Sequence, residues 1–462
     1  MDIDAINERI AAVHRGRKWI LTPDVAAAAT PLAATLAEHD AEGVMVVAGS
    51  EGVGDLPDVD RIYYTRTAGD GIMDSFRALF ASIEDPSGSL LDAVDAFDPT
   101  HDALVLGASF SRRDHLAGRP VYGVRLPQWR AFEDKMIVDK LWDDAGVERA
   151  PSAIVAVNDA EQAAQDLATE QGSVWVADNT EGWHGGGDYT RWLRPGVDNS
   201  ETVAWFRTHA AQVRVMPFLD GLPCSIHGFI TRDGIAVFRP VELFILRERD
   251  RPRFYYAQGA NFWSPPVQVI TEMRDAARRV GEQLQEQVGY LGAFGIDGVL
   301  TVDGFRPHEL NPRLTLGHGL QCRPLGIPLG SMERLMFEGD LDIDAVDLES
   351  TVMEGTQETR SGGMIFTLMS TYPKASLTYR FANGGAVETQ DDAEADGVMT
   401  IGQAAFGSVV IVRPDPDRTP VGPSLAPQTV QLLDLAREAW DLDAPYVDHP
   451  PDVWSDASVA SP

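Results

Sequence analysis

Residues 308–319 read HELNPRLTLGHG, and this stretch decides the fold. Glu309, Asn311 and Arg313 stand at alternate positions, so their side chains project from one face if the segment is a β-strand. The acid and the amide offer oxygen ligands for a cation, and the guanidinium offers a fork for an anion. The stretch therefore predicts a site that binds a metal ion together with a phosphate or carboxylate. The competing interpretation is an edge hairpin with solvated polar residues.

The preceding strand brings a second carboxylate. The segment GIDGVLTVDGFRPHELNPR (295–313) reads as a hairpin around Asp303-Gly304. A two-residue turn there puts Asp297 and Glu309 on opposite faces, whereas a three-residue loop over 302–304, with Gly304 in the left-handed region, aligns them. We expect the second register. Two adjacent carboxylates need a cation or proton between them, and Mg²⁺ is the natural guest for a set of oxygen ligands.

The composition and the net charge limit the classes of function that are expected. The chain has 462 residues, 70 acids against 38 bases and a formal net charge of -32. So acidic a surface repels nucleic acid and anionic lipid, and we expect neither a nucleic-acid nor a membrane partner. Cys224 and Cys322 are too few for a disulfide framework. With no signal-peptide pattern and no apolar run of about 18 residues, a soluble cytoplasmic protein is expected.

The chain changes character along its length. Residues 17–125 alternate apolar strand runs with helical stretches, which favours an open parallel α/β sheet. GSEGVG (49–54) is not a dinucleotide fingerprint and is interpreted as a glycine-rich turn. Further on we expect a helix over 132–146, a hairpin turn at Asp233-Gly234 and a long helix over 271–290 with one buried face. From about residue 360 the chain is strand-rich, with one helix near 430–440 and a tail expected to fray.

The E-x-N-P-R stretch after a D…DG hairpin resembles the metal-binding end of the ATP-grasp superfamily, in particular its carboxylate-amine ligases. It is also similar to the corresponding part of biotin carboxylase and carbamoyl phosphate synthetase. The resemblance covers residues 128–345 and implies a fold of the α/β (α+β grasp) class. Three parts are expected: a Rossmann-like N-terminal domain with an open parallel sheet (1–128), a two-subdomain ATP-grasp domain hinged near 213–221 (129–345), and a strand-rich, mixed C-terminal domain with a frayed tail (346–462).

The resemblance also implies roles for single residues. Asp297, Glu309 and Asn311 carry over as magnesium ligands, and Arg313 as the catalytic residue near the transferred phosphate or acyl group. Lys135 matches a helix lysine that reaches the ATP phosphates, with Lys140 as its competitor. The remaining nucleotide contacts are the glycine loop WHGGGD, through Gly185, Gly186 and Gly187, and the hinge, through Met216, Phe218 and Leu219. A plain flexible turn and a core aromatic at 218 remain open as alternatives.

The sequence departs from the family at two places. The strand lysine before the glycine loop falls on Val176 or Ala177, and Arg191 or Arg194 could supply its charge. The acid that usually takes the ribose hydroxyls falls on Pro223 or Cys224. His308 and His318 flank the central motif and receive no role. The arginine-rich stretch within 239–263 hints at an anionic substrate, with a solvated basic loop as the stronger interpretation.

The function implied is that of an ATP- and Mg²⁺-dependent ligase. It activates a substrate carboxylate as an acylphosphate, an amine attacks to form an amide or peptide bond, and ADP and phosphate leave. The substrates would be small molecules such as an amino acid or peptide, and a homodimer is left open. Two alternatives remain: a degenerate ATP-grasp protein that binds a nucleotide or metabolite without turnover, and a bicarbonate-using, carboxylase-type enzyme.

Overall fold

The computed structural model describes residues 1–65, 72–107, 113–404 and 406–453. Its first part is a parallel sheet in the order β3-β2-β1-β4, as the strand-helix alternation predicts. Apolar side chains alternate between its two faces, so that helices pack on both. The elements are α1 (Ile3–His14), β1 (Lys18–Leu21), α2 (Thr30–Glu38), β2 (Gly43–Ala48), β3 (Arg61–Tyr64), α3 (Ile72–Glu84), α4 (Gly88–Phe97) and β4 (Leu104–Leu106).

A short connecting region leads to a second, antiparallel sheet in the order β7-β10-β8-β9. Two helices cover one face of this sheet around Trp175 and Phe206, which are both fully buried. The elements are β5 (His115–Leu116), β6 (Arg119–Pro120), α5 (Pro127–Arg130), α6 (Val138–Asp144), β7 (Ala153–Ala156), α7 (Ala160–Leu167), β8 (Ser173–Ala177), β9 (Thr190–Leu193), α8 (Ser200–His209) and β10 (Gln212–Pro217).

The third sheet has twelve strands and carries the opening motif at one edge, in the main order β16-β15-β11-β13-β14-β17-β21-β20-β18-β19. The predicted long helix packs on it and ends at Gly289, whose φ of 61° suits glycine. Its first elements are β11 (Leu222–Ile230), β12 (Ile235–Val237), β13 (Val241–Glu248), β14 (Phe254–Ala260), α9 (Val267–Val288), β15 (Gly292–Thr301), β16 (Gly304–Asn311), α10 (Leu316–Cys322), α11 (Leu329–Glu338) and α12 (Ala345–Glu358).

The C-terminal strands extend this same sheet. β14 pairs with the first of them, and Phe244 of β13 shares a core with Phe366 and the last helix. The division at 345/346 stays a prediction, and the sheet runs continuously across it. The elements are β17 (Gly362–Leu368), β18 (Ala375–Ala382), β19 (Gly385–Thr389), β20 (Gly397–Gln403), β21 (Ser408–Pro414), α13 (Ala426–Trp440) and β22 (Val447–Asp448). Short 3-10 turns lie at Ala26–Ala29, Ala131–Glu133, Val157–Asp159, Arg323–Leu325 and Asp392–Glu394.

Both hairpin turns differ from the predicted ones: the Asp233-Gly234 turn lies one residue earlier than expected, and the three-residue loop predicted over 302–304 is a two-residue turn. Thr231 N–H donates to the Gly234 carbonyl at 2.9 Å, and Thr301 pairs with Gly304, so each turn is centred on the two residues between them. Both segments read T-x-D-G, and the threonine hydroxyl donates to the glycine carbonyl at 3.2 and 3.1 Å. The threonine hydroxyl therefore determines the position of each turn, and the glycine is the first residue after the turn.

The expectation of a frayed tail is wrong for residues 441–453. β22 pairs with β13, Arg249 Nε lies 2.9 Å from the carboxylate of Asp448, and the N–H of Ser424 donates to Asp452 at 3.0 Å. These bonds hold the segment against the sheet. Residues 454–462 lie outside the described residues. Among the helices that the structure describes, none is long and apolar enough to cross a membrane.

Glu242 ties α13 to the central sheet, and its loss should destabilise the fold. Its buried carboxylate accepts hydrogen bonds from the N–H groups of Leu425 at 2.9 Å and Ala426 at 3.2 Å and from the Ser424 hydroxyl. We expect Glu242→Ala to lower the free energy of unfolding by about 2–4 kcal/mol, because it leaves three buried hydrogen-bond donors without an acceptor. Urea titration followed by circular dichroism measures this. Ser424→Ala keeps the carboxylate and should cost about 1 kcal/mol; equal losses would contradict this role for Glu242.

Candidate functional site

Asp297 and Glu309 face each other across the β15–β16 hairpin, and the predicted pairing is confirmed. The predicted reason for this pairing, a three-residue loop over 302–304, is wrong. The two-residue turn at Val302 and Asp303 sets a register in which Gly298 pairs with Pro307, and this register would put Asp297 opposite His308. A β-bulge at His308 adds one residue and brings Glu309 opposite Asp297 instead. Gly304 has a φ of 107°, so the expected left-handed glycine is present.

Pro307 and a buried arginine account for the bulge. Proline has no N–H to donate to the ladder, and within sheets it is found at edges and bulges. The carbonyl of His308 accepts instead from Arg214 Nη1 at 2.8 Å. Arg214 is almost fully buried and pairs with Asp139. Burial lowers the pKa of His308 to about 4, so its ring is neutral.

The two carboxylates differ in their partners. Lys135 Nζ lies 2.8 Å from Glu309 Oε1, and this ion pair brings the pKa of Glu309 below its ordinary value although burial raises it. Asp297 accepts a hydrogen bond from Asn311 Nδ2 at 2.9 Å. Burial, and then the charge of Glu309, raise the pKa of Asp297 to about 6. Negative charge is therefore undercompensated at Asp297.

The expected helix over 132–146 is shorter than predicted. Lys135 lies in a turn before α6, because the carboxylate of Asp134 accepts from the N–H of Met136 at 2.9 Å and holds the chain out of the helix. Lys140 pairs with Asp144 on the surface and is 80% exposed. Of the two candidate lysines, Lys135 is the one at the carboxylate pair.

Arg313 is held beside this pair. Its Nη2 donates to Asn311 Oδ1 at 2.7 Å, and its Nε lies 3.6 Å from the carboxylate of Glu133. Arg125 Nη1 also lies 3.0 Å from Glu133. Sequence reasoning missed Arg125 and Glu133, since nothing in their spacing connects them to the motif. Both ends of the Asn311 amide are engaged, so its role as a metal ligand requires an exchange of these bonds and stays a prediction.

The donor set fits magnesium that shares its ligands with a substrate. In the described parts of the chain, no three His, Cys, Asp or Glu side chains converge as a closed metal site. Asp297 and Glu309 are two adjacent carboxylates, of which only Glu309 pairs with Lys135, and Mg²⁺ is usually bound by one or two carboxylates plus substrate phosphates. His318 takes no part, because its Nδ1 accepts from the N–H of Thr315 at 3.1 Å and caps α10.

The glycine loop joins β8 to β9 and is anchored on both sides of its glycines. His184 Nε2 lies 3.0 Å from the Ala177 carbonyl, and its ring stacks on Tyr189 at 4.5 Å. Arg77 of α3 donates to the Trp183 carbonyl at 3.2 Å. Gly186 and Gly187 have φ of 61° and 76°, and a Cβ at either would meet no atom within 4 Å. Their backbone is therefore open to a ligand, and phosphate contacts by Gly185–Gly187 stay a prediction.

The hinge places its three predicted residues on the wall of a cavity. The Phe218 ring stacks on Trp192 at 4.3 Å and lies 4.9 Å from the Arg247 guanidinium, so its faces are occupied. The main-chain N–H of Phe218 donates to the Gly172 carbonyl at 3.0 Å. Leu219 makes no main-chain hydrogen bond within the described residues. Adenine contacts at Met216, Phe218 and Leu219 stay predictions.

Val176, rather than Ala177, faces the cavity at the place of the missing strand lysine. Its direct cross-strand partner is Arg214. Of the arginines suggested as substitutes, Arg191 stacks 4.2 Å from the Trp205 ring, and Arg194 donates to the carbonyls of residues 249 and 251. Sequence reasoning missed Arg214, although a charged residue at an alternate position of the apolar run VRVMP is a usable signal.

The acid that usually binds the ribose hydroxyls in this family is also missing. At the two positions that match it, Pro223 faces the cavity and Cys224 is buried in the core.

One open cavity of about 2820 Å³ is lined by Asp297, Glu309, Lys135, Arg313, Arg214 and the glycine loop, together with residues of the N-terminal part and the C-terminal strands. Among the described residues, eleven lysines and arginines and nine acids line it, although the whole chain has almost twice as many acids as bases. The predicted basic stretch divides: Arg247, Arg251 and Arg253 line the cavity, where Arg247 also pairs with Asp220, whereas Arg249 pairs with Asp448. The cavity therefore suits an anionic ligand.

No family model and no curated protein matches this sequence. Solved structures do match. An N5-carboxyaminoimidazole ribonucleotide synthetase in complex with ADP aligns over 92% of this chain and 98% of its own, with a TM-score of 0.51 and 11% identity. The biotin carboxylase domain of a Hydrogenobacter thermophilus 2-oxoglutarate carboxylase aligns over 94% and 91%, with a TM-score of 0.51 and 12% identity.

Rhizobium etli pyruvate carboxylase aligns over 94% of this chain and 38% of its own, with a TM-score of 0.56 and 14% identity. At these identities the likeness concerns the fold. The chain has an ATP-grasp fold, and the expected fold class is confirmed.

The raised pKa of Asp297 should make the free energy of unfolding depend on pH. Because the pKa in the folded state lies above that in the unfolded state, folding favours the protonated carboxyl, and stability falls as the pH rises from about 4 through about 6. We expect Asp297→Asn to unfold with a free energy about 1–3 kcal/mol higher than wild type at pH 8, and the gap to close below pH 4. Urea titrations across this range, without metal, measure it. A gap independent of pH would contradict the assignment.

Proposed function

We propose that this chain is an ATP- and magnesium-dependent ligase that activates a substrate carboxylate as an acylphosphate for attack by an amine. One observation carries the proposal: Asp297 and Glu309 face each other on the floor of a cavity in an ATP-grasp fold, with Lys135 and Arg313 beside them. Two adjacent carboxylates next to two cationic side chains suit a magnesium-bound polyphosphate.

The register of the strands indicates the direction in which the nucleotide would lie along the floor of the cavity. Val299 and Pro223 lie on the hinge side of Asp297, about 7 Å along the strands, since alternate residues are that far apart. The adenine would rest there, with its edge against the free main-chain groups of Leu219. The phosphates would run toward Asp297 and Glu309, under the glycines of the 183–188 loop.

The chemistry is two displacements. An oxygen of the substrate carboxylate bonds to the γ-phosphorus, and the bond from that phosphorus to the β,γ-bridging oxygen breaks, so ADP leaves. The amine nitrogen then bonds to the acyl carbon, phosphate leaves with the former carboxylate oxygen, and the nitrogen loses a proton. Magnesium at Asp297 and Glu309 would neutralise charge on the phosphates. Lys135 and Arg313 would stabilise the charge that develops on the transferred group.

A second candidate is a protein that binds the nucleotide without turnover. The specific observations in its favour are Val176 and Pro223, which stand where the family uses a charged lysine and a ribose-binding acid. Arg214 weighs against it, because it is the direct cross-strand partner of Val176 and also lines the cavity.

The proposal predicts magnesium-dependent ATP binding and carboxylate-dependent ADP formation. Glu309→Gln keeps the shape of the side chain and removes its charge, so we expect at least a tenfold loss of ATP affinity in the presence of Mg²⁺. Isothermal titration measures binding, and ADP release with a mixture of the twenty amino acids measures turnover. Asp303→Asn, in the exposed turn of the same hairpin, is the matched control. Binding without ADP release would favour the second candidate, and no binding would contradict both.

Arg214 should replace the missing strand lysine. We expect Arg214→Met to weaken MgATP binding at least tenfold, because it removes the charge opposite Val176, whereas Arg194→Met should leave binding within twofold. The double variant Val176→Lys with Arg214→Met tests the same idea in reverse and should recover part of the affinity. Equal losses for Arg214→Met and Arg194→Met in titration calorimetry would refute this assignment.

A further inference from the structure

Two adjacent C-terminal strands leave an apolar face open to the cavity. α13 covers one face of β17 and β21, where Phe366 and Val410 are fully buried. On the opposite face Ile365 pairs with Ile411, and Thr367 pairs with Val409. These four side chains are half-buried and line the same cavity as the carboxylate pair. We name them the apolar strip.

β14 lies between this strip and the carboxylate pair, and two of its polar side chains face the cavity. Burial, followed by the charge of Asp297, raises the pKa of Tyr256, so its hydroxyl stays protonated. Gln258 has a φ of 75°, a left-handed conformation that is costly for a residue other than glycine and that is typical of functional sites. Within the described residues neither side chain has a hydrogen-bond partner. Both therefore have donors to offer to a ligand.

The N-terminal part also contributes apolar side chains to the cavity wall, beside the charged Asp24, Asp74 and Arg77. Phe76 and Phe80 of α3 stack at 6.3 Å, and Phe76 lies 6.0 Å from Phe406. Val25 and Leu32 line the cavity on the same side of the molecule. A site with apolar walls and a few convergent polar groups is the usual form of a pocket for a small molecule with an apolar body.

We propose that the acid activated at this site has an apolar body, aliphatic or aromatic, that packs on the strip of Ile365, Thr367, Val409 and Ile411 while Tyr256 and Gln258 donate to its carboxylate. This inference rests on the proposed ligase function and names the substrate class. Bicarbonate and short polar acids are excluded as preferred substrates, because they would leave the strip in contact with water. Burying the apolar body removes that exposed surface and favours binding.

Hydroxylamine can replace the unknown amine, since it attacks an acylphosphate and yields a hydroxamate and phosphate. We would supply ATP, Mg²⁺ and hydroxylamine with six acids: 3-phenylpropanoate, 4-methylpentanoate, L-leucine, bicarbonate, acetate and succinate. The expected result is ADP release with every apolar acid, accompanied by hydroxamate, and at least a tenfold lower rate with the other three. Titration of 3-phenylpropanoate in the presence of a non-hydrolysable ATP analogue and Mg²⁺ measures binding without turnover.

Variants of the strip separate packing from folding. Ile365→Asn and Ile411→Asn should lower kcat/KM for the apolar acid about tenfold through KM and leave ATP affinity unchanged. Thr367→Val makes the strip more apolar and should lower KM two- to threefold, a gain that misfolding cannot produce. Val398→Asn, on neighbouring β20 and outside the cavity lining, is the matched control and should change nothing.

Each remaining outcome counts against the inference. Turnover of bicarbonate or succinate with the apolar acids inert would overturn it and leave the ligase function standing. Turnover of apolar acids that is unaffected by Ile365→Asn, Ile411→Asn and Thr367→Val would remove the strip from substrate binding. ATP binding without ADP release from any of the six acids, together with no binding of 3-phenylpropanoate, would overturn the inference and the ligase function together.

Discussion

The repulsion between Asp297 and Glu309 is the constraint on which the site depends. Opposed positions on paired strands hold the two carboxylates together, and burial denies them the water that would screen them. Lys135 forms an ion pair with Glu309, and the amide of Asn311 donates a hydrogen bond to Asp297. Among the described residues, no cation forms a salt bridge with Asp297. A structure in which this cost is only partly compensated suits a ligand that supplies positive charge.

The bulge at His308 links this pair to the rest of the cavity. Pro307 interrupts the ladder, the carbonyl of His308 turns to Arg214, and Arg214 is in turn the cross-strand neighbour of Val176. One arginine thus supports the register of the carboxylates and is the cross-strand neighbour of the position where a strand lysine is missing. The carboxylate pair in the third sheet and the strand wall in the second sheet are joined through this single side chain, and its ion pair with Asp139 explains why an arginine is tolerated in an almost fully buried position.

Much of the fold and the centre of the site could be predicted from the sequence. Alternation of strands and helices gave the parallel sheet, and the spacing of Glu309, Asn311 and Arg313 gave their common face. Turn and bulge positions escaped prediction, because they depend on the Thr301 hydroxyl and on a carbonyl captured by a distant arginine. Side chains that converge only in three dimensions, such as Tyr256 beside Asp297 or Glu133 beside Arg313, leave no local signal in the sequence. The continuous twelve-stranded sheet was missed for the same reason.

The central claim is that ATP phosphorylates a carboxylate at the Asp297–Glu309 pair, and oxygen transfer tests it most directly. The chain would be incubated with ATP, Mg²⁺, hydroxylamine and 3-phenylpropanoate labelled with ¹⁸O in its carboxylate, and the products would be read by ³¹P NMR. The account predicts ADP together with inorganic phosphate that carries one ¹⁸O, and neither product with Glu309→Gln. Formation of AMP that carries the label, or of unlabelled phosphate, would contradict it, because the carboxylate would then have attacked a different phosphorus or none.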